Sequence, residues 1–247
     1  MKKLFKRQII LFAAILFVFS FVQGATIDDF SNPFPPNPDL PASGRPVIFV
    51  GYTCDGSACP PGDFVEHSVD DSAYQTGLSG VVGGERYALI SYVAGTANSG
   101  IWAEGNSLSM NHNSMASSVL ELEYGISIDM NANFTVINAT MFHVTVLSGD
   151  MYAGPRPVPC TITVTSGRGT PDEATASKTV SLIDATTYNF MFSEFAGVDF
   201  TDVDYIKYSF DASSVTSVDF SIGPLTTDGE SVDAELNSWG AVKNMYR

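Results

Sequence analysis

Glu121 and Glu123 lie two residues apart in Leu120-Glu121-Leu122-Glu123-Tyr124. In an extended strand that spacing puts both carboxylates on one face, with Cα atoms about 7 Å apart. Carboxyl groups so placed approach the separations used in glycoside hydrolysis, where one acts as acid and the other as base or nucleophile. Sandwich-type glycosidases usually carry a third acid two or three residues further on, whereas here Tyr124, Gly125 and Ile126 come next. Two glutamates on the wet face of a surface strand are common. A solvated strand face is therefore the preferred reading, and catalysis by Glu121 and Glu123 the alternative.

Other reactive groups are sparse. His67, His112 and His143 have no second histidine at metal-ligand spacing, and no Gly-x-Ser-x-Gly elbow marks a serine nucleophile. Cys54 and Cys59 bracket the short loop Cys-Asp-Gly-Ser-Ala-Cys, and a Cys54–Cys59 disulfide is expected, with other pairings left open by the odd cysteine count. Cys160 alternates with threonines beside Ile162 and Val164, which places it on an apolar strand face as a buried free thiol. Acidic pairs at Asp28-Asp29, Asp70-Asp71 and Asp202/Asp204 offer oxygen ligands. No cofactor is expected, but a structural calcium at Asp29 and Asp219 is compatible with them.

Sugar recognition needs exposed rings with polar groups nearby. Trp102, in Ser-Gly-Ile-Trp-Ala-Glu-Gly-Asn-Ser, and Tyr152, in Gly-Asp-Met-Tyr-Ala-Gly-Pro, border turn-rich segments and are the candidate ligand-binding residues. The glycines of Gly80-Val81-Val82-Gly83-Gly84-Glu85-Arg86 invite a phosphate-loop reading. That motif needs a helix after the glycines and usually Lys-Ser/Thr, whereas the residues after Gly84 alternate like a strand. Gly83 and Gly84 are expected to form a turn or bulge at the start of that strand.

The elements that must position these groups read as β-structure. Leu120, Leu122 and Tyr124 oppose the two glutamates, and Phe142, Val144 and Val146 alternate in the same way. Further period-two runs recur in VIFVGY, TITVT, YNFMF, IKYSF and VDFSIG, separated by Gly, Asn, Asp, Ser and Pro clusters. The expected fold is all-β: a two-layer antiparallel β-sandwich, with a jelly roll as the topology. It would occupy residues 25–223, with a Pro-rich segment at 31–46 and a polar C-terminal tail at 224–247.

The N-terminus carries Lys2, Lys3, Lys6 and Arg7 before an apolar run from Ile9 to Val22. At 14 residues that run is short of the roughly 20 that span a bilayer, so residues 1–24 read as a signal peptide with Ala25 as the new N-terminus. The mature chain then holds 8 Lys+Arg against 27 Asp+Glu, a net charge of −19. Such a surface repels nucleic acid and anionic lipid, so neither is an expected partner, and no membrane span remains after cleavage.

The segments TIDDFS, GVVGGERYALISY, SLSMNHNSMASSVLELEYG and FAGVDFTDVDYIKYSFD…VDFSIGPL together resemble a group of exported bacterial β-sandwich proteins. Those proteins open with an Ile-Asp-Asp-Phe strand, carry a Gly-Gly-Glu-Arg element and a Tyr-Asp-Gly near mid-chain, and often end in a Pro-Glu-Pro sorting tail. This sequence departs from them in having Gly125 directly after Tyr124, a proline- and cysteine-containing insert at 31–62, and no such tail. The resemblance implies a jelly-roll-like fold. The combined expectation is a secreted, non-catalytic module at the cell surface or outside it, binding polysaccharide. A glycoside hydrolase using Glu121 and Glu123, or a purely structural matrix component, are the alternatives.

Overall fold

The computed structural model describes residues 25–35, 48–54, 64–66, 70–95, 98–112, 116–151, 156–215 and 217–229. Residues 1–24, read above as a signal peptide, His67, Tyr152 and Cys59 of the expected Cys54–Cys59 bridge lie outside them. Among the described residues there are fifteen strands, numbered in chain order. They are β1 (Thr26–Asp28), β2 (Ile48–Cys54), β3 (Phe64–Glu66), β4 (Asp70–Thr76), β5 (Glu85–Gly95), β6 (Asn98–Glu104), β7 (Ser107–His112) and β8 (Ala116–Tyr124). The second half contributes β9 (Met141–Gly149), β10 (Val158–Ser166), β11 (Ala174–Leu182), β12 (Thr187–Met191), β13 (Val203–Asp211), β14 (Phe220–Ile222) and β15 (Leu225–Thr227).

These strands form two antiparallel sheets. One has six strands in the order β11-β10-β13-β8-β5-β4. The other has nine, in the order β1-β15-β9-β14-β7-β6-β2-β3 with β12 also paired to β9. From β5 onward the chain crosses repeatedly between the layers, in the wrapping expected of a jelly roll.

The period-two reading is met in β8, β9, β10 and β13. Leu120, Leu122 and Tyr124 are fully buried, while Val119, Glu121 and Glu123, which alternate with them, face outward. Phe142, Val144 and Val146 of β9 and Cys160, Ile162 and Val164 of β10 supply the core from opposite layers. Phe142 sits amid a ring cluster, 4.8 Å from Phe192 and 5.8 Å from Phe134 between centroids, and Phe192 stacks on Phe200 at 3.9 Å. Burying each such side chain contributes about 1.5–3 kcal/mol.

Two boundaries bear on the sequence reading. Leu225 and Thr227 are buried in β15, which pairs with β1 and β9, so the sandwich continues past residue 224. Thr and Asp obscured that strand because it is three residues long, too short to show a period. Gly83 and Gly84 do form the expected turn: both have positive φ, 70° and 71°, and β5 begins at the next residue.

Candidate functional site

The outer face of the six-stranded sheet brings rings and charged groups from four neighbouring strands into register. Its centre is β8, whose alternation sends Glu121 and Glu123 outward. On one side β13 brings Lys207 and Tyr205 to the same face: the Lys207 ammonium donates to Glu121 Oε1 at 2.9 Å, and the Tyr205 hydroxyl donates to Glu123 Oε2 at 2.8 Å. Both contacts are diagonal, since Lys207 lies directly opposite Glu123 in the ladder. On the other side β5 sets Tyr87 opposite Glu123, and β4 sets Tyr74 opposite Tyr87. A straight row Tyr74–Tyr87–Glu123–Lys207 thus crosses four strands, with neighbouring strands about 4.8 Å apart.

Hydroxyl contacts fix two of the rings. Tyr74 donates to Glu85 Oε2 at 2.5 Å and also meets Ser127 Oγ at 2.5 Å, yet 48% of the residue remains exposed. The carboxylate bond raises the phenol pKa above its ordinary value. Burial, followed by the bond to Glu123, raises the Tyr205 phenol further, and the Arg168 guanidinium lies 5.1 Å from the centre of its ring. Glu85 is buried; burial alone would raise its pKa, but bonds from Ser127 Oγ, Tyr74 and the Ser127 and Ile128 amides outweigh that and hold it low.

Behind this face lies a buried polar cluster. Arg86 donates to both oxygens of Asp28, at 3.0 and 3.3 Å, and to Asn32 O and Gln75 Oε1. Tyr124 and the Phe30 amide complete the shell around Asp28, and the Phe34 ring faces the guanidinium at 4.7 Å. Burial raises the Asp28 pKa, opposed by the Arg86 charge and these hydrogen bonds.

Trp102 stands elsewhere. It is a mid-strand residue of β6, partly exposed on the outer face of the nine-stranded sheet, opposite Ser109. Ser221 and Ser148 continue that row. The outer faces of a sandwich point in opposite directions, so Trp102 does not share a site with Glu121 and Glu123. Of the two carboxylates named for calcium, Asp29 accepts the Ser31 amide and Asp219 the His112 amide. Among the described residues no group of three or more His, Cys, Asp or Glu is arranged to hold a metal.

His112 is buried between the sheets, with Nδ1 2.7 Å from Val218 O and Nε2 2.6 Å from Ser118 Oγ. A carbonyl only accepts, so Nδ1 carries the proton and Ser118 donates to Nε2. Ser118 is fully buried, which makes this pair a tie between layers and not a nucleophile. A recess bordered by Ala25, Val82, Ala132, Phe134 and Ile137 has a volume of about 20 Å³, room for water and not for a sugar ring.

Tyr74, Tyr87, Tyr205 and Lys207 were absent from the sequence-based candidates. Tyr205 and Lys207 were accessible through the alternation of Tyr205, Lys207 and Ser209. Tyr74 lies in Asp-Asp-Ser-Ala-Tyr-Gln-Thr, a strand with one buried position and no apolar period to reveal it.

The sequence matches no known family profile and no curated protein. Among solved structures, it is similar to a family 11 carbohydrate-binding module from Clostridium thermocellum in complex with a β-1,3-1,4-mixed-linked tetrasaccharide. That likeness has 12% identity and a TM-score of 0.32, covering 74% of this chain and 97% of that one. It is also similar to the agarase AgWH50C, at 9% identity and a TM-score of 0.33 over 57% of this chain and 23% of the other. A third likeness is to TmCBM61 in complex with β-1,4-galactotriose, at 12% identity and a TM-score of 0.23 over 66% and 83%.

Proposed function

We propose that this chain is an exported, non-catalytic binding module that holds a polysaccharide on the outer face of its six-stranded sheet. The row Tyr74–Tyr87–Glu123–Lys207 carries the reading. Ring flanks stack on the C–H faces of sugars, while carboxylate and ammonium groups meet sugar hydroxyls. Because the Tyr74 and Tyr205 hydroxyls already have partners, their rings are held in place before a ligand arrives, which lowers the ordering cost of binding.

Export is supported by the basic cluster and apolar run of residues 1–24, and N-terminal sequencing of secreted protein should begin at Ala25. The two short motifs behind the family resemblance meet in the Asp28–Arg86 ion pair, and we read them as a structural signature of that group. Glu121 and Glu123 serve binding, not hydrolysis: each shares an oxygen with a strand neighbour on an open sheet face, without the enclosed setting that tunes a general acid.

Affinity electrophoresis through gels cast with hydroxyethyl cellulose, xylan, galactomannan or starch tests the proposal. Retardation in at least one gel, weakened in Tyr74→Ala and Tyr87→Ala, is the expected result. Free migration of the parent in all four gels would end it, and release of reducing sugar from any of these polymers would restore the hydrolase alternative.

A further inference from the structure

Resting on that reading, we infer that Glu121 and Glu123 are the specificity-determining residues of this face and select neutral, hydroxyl-rich chains against uronic-acid polymers. The geometry of the two carboxylates is the ground. Glu121 has Oε1 held by Lys207, and Glu123 has Oε2 held by Tyr205. Among the described residues, Glu121 Oε2 and Glu123 Oε1 accept no hydrogen bond, and both side chains are only partly buried. Each carboxylate is therefore anchored through one oxygen and open at the other. A fixed, charged acceptor facing outward is suited to a hydroxyl donor, which a neutral sugar supplies at most of its carbons.

The cations point the same way. The described residues include five Lys and Arg side chains, and four are in ion pairs: Arg86 with Asp28, Arg168 with Asp129, Lys178 with Glu194 and Lys207 with Glu121. The fifth, Arg156, donates to Ser217 O. The two that border this face, Lys207 and Arg168, already have acidic partners. A uronate carboxylate laid along the row would meet Glu121 and Glu123, and among the described residues the cations bordering the face are already paired, against a mature chain of net charge −19. Neutral polymers meet neither penalty.

The test compares the parent, Glu121→Gln, Glu123→Gln and Tyr87→Ala in gels containing the neutral polymer that retards the parent and in gels containing polygalacturonate, with thermal midpoints recorded for each. The parent should bind the neutral polymer and migrate freely in polygalacturonate. Each Gln variant, which keeps shape but gives up the charged acceptor, should lose about tenfold in affinity for the neutral polymer at an unchanged midpoint. Glu121→Asp keeps the charge and withdraws the open oxygen, so it should lose affinity to a similar extent. If Tyr87→Ala abolishes binding while the Glu121 and Glu123 variants stay within twofold of the parent, the inference is wrong and the binding face stands. Equal retention of the parent by polygalacturonate would also overturn it. If no neutral polymer retards the parent, the face itself is wrong and this inference goes with it.

Discussion

Asp28 and Arg86, 58 positions apart, form an ion pair in which neither side chain has any solvent exposure, with Arg86 Nη1 3.0 Å from Asp28 Oδ2. It ties β1, an edge strand of the nine-stranded sheet, to β5 in the six-stranded sheet, and so closes one side of the sandwich. The surrounding bonds to Tyr124, Phe30, Asn32 and Gln75 offset part of the pair's desolvation, while Arg86 Nε is buried with no hydrogen-bond partner among the described residues.

Removing one partner leaves the other charge buried and uncompensated. Asp28→Asn or Arg86→Met is expected to lower unfolding free energy by about 3–5 kcal/mol, measured by urea denaturation followed by tyrosine and tryptophan fluorescence. A loss below about 1 kcal/mol in both would show that the pair is not the closure it resembles.

Gly125 comes directly after Tyr124 at φ 77°, and a Cβ there would lie 2.0 Å from Asp204 O, a backbone atom that cannot turn aside. Gly105 has φ 59° with nothing within 4 Å of that position. Gly105→Ala should cost roughly 1 kcal/mol, the left-handed penalty alone, and Gly125→Ala distinctly more. Equal urea midpoints for the two variants would contradict the close approach.

Burial lowers the His112 pKa below its ordinary value, so the native chain resists the proton that the unfolded chain accepts. Its contribution is complete above the unfolded value of about 6.5 and falls as pH drops through and below it. Glu85, held low by its four hydrogen bonds, contributes stability at neutral pH that is lost as pH falls through the ordinary carboxylate range and below. Asp28, Asp204 and Asp219 are raised by burial and act in the opposite sense in that lower range. The effects separate by difference. The stability gap between parent and His112→Gln should narrow from pH 7 to 5, and that between parent and Glu85→Gln from pH 5 to 3. A gap constant with pH would remove either assignment.

Cys160 is fully buried, and burial pushes its thiol pKa far up. Iodoacetamide at pH 8 should leave Cys160 unmodified in the folded protein and alkylate it in urea, as read by peptide mass spectrometry. Rapid labelling without denaturant would show that the thiol is reachable.

The layered fold was legible because alternation is a local property. Leu120, Leu122 and Tyr124 alternate with polar neighbours wherever the strand pairs, and the same holds for Phe142, Val144 and Val146. The sandwich's last strand was not, because Leu225–Thr227 is three residues long and owes its burial to β1 and β9. The candidate face was half legible: Glu121 and Glu123 were visible as a same-face pair, while the rings beside them come from strands distant in sequence.

By itself the sequence settled the side each residue of a strand faces, the burial of Cys160 and the turn at Gly83-Gly84, since each depends on neighbours a few bonds away. Tertiary structure alone decided which strands lie side by side, and hence that Glu121 meets Lys207, that Glu123 meets Tyr205 and Tyr87, that Arg86 chooses Asp28 among the chain's 27 acids, and that Trp102 looks away from them all. Register between strands is fixed by the packing of a common core, and no short stretch of chain carries that information.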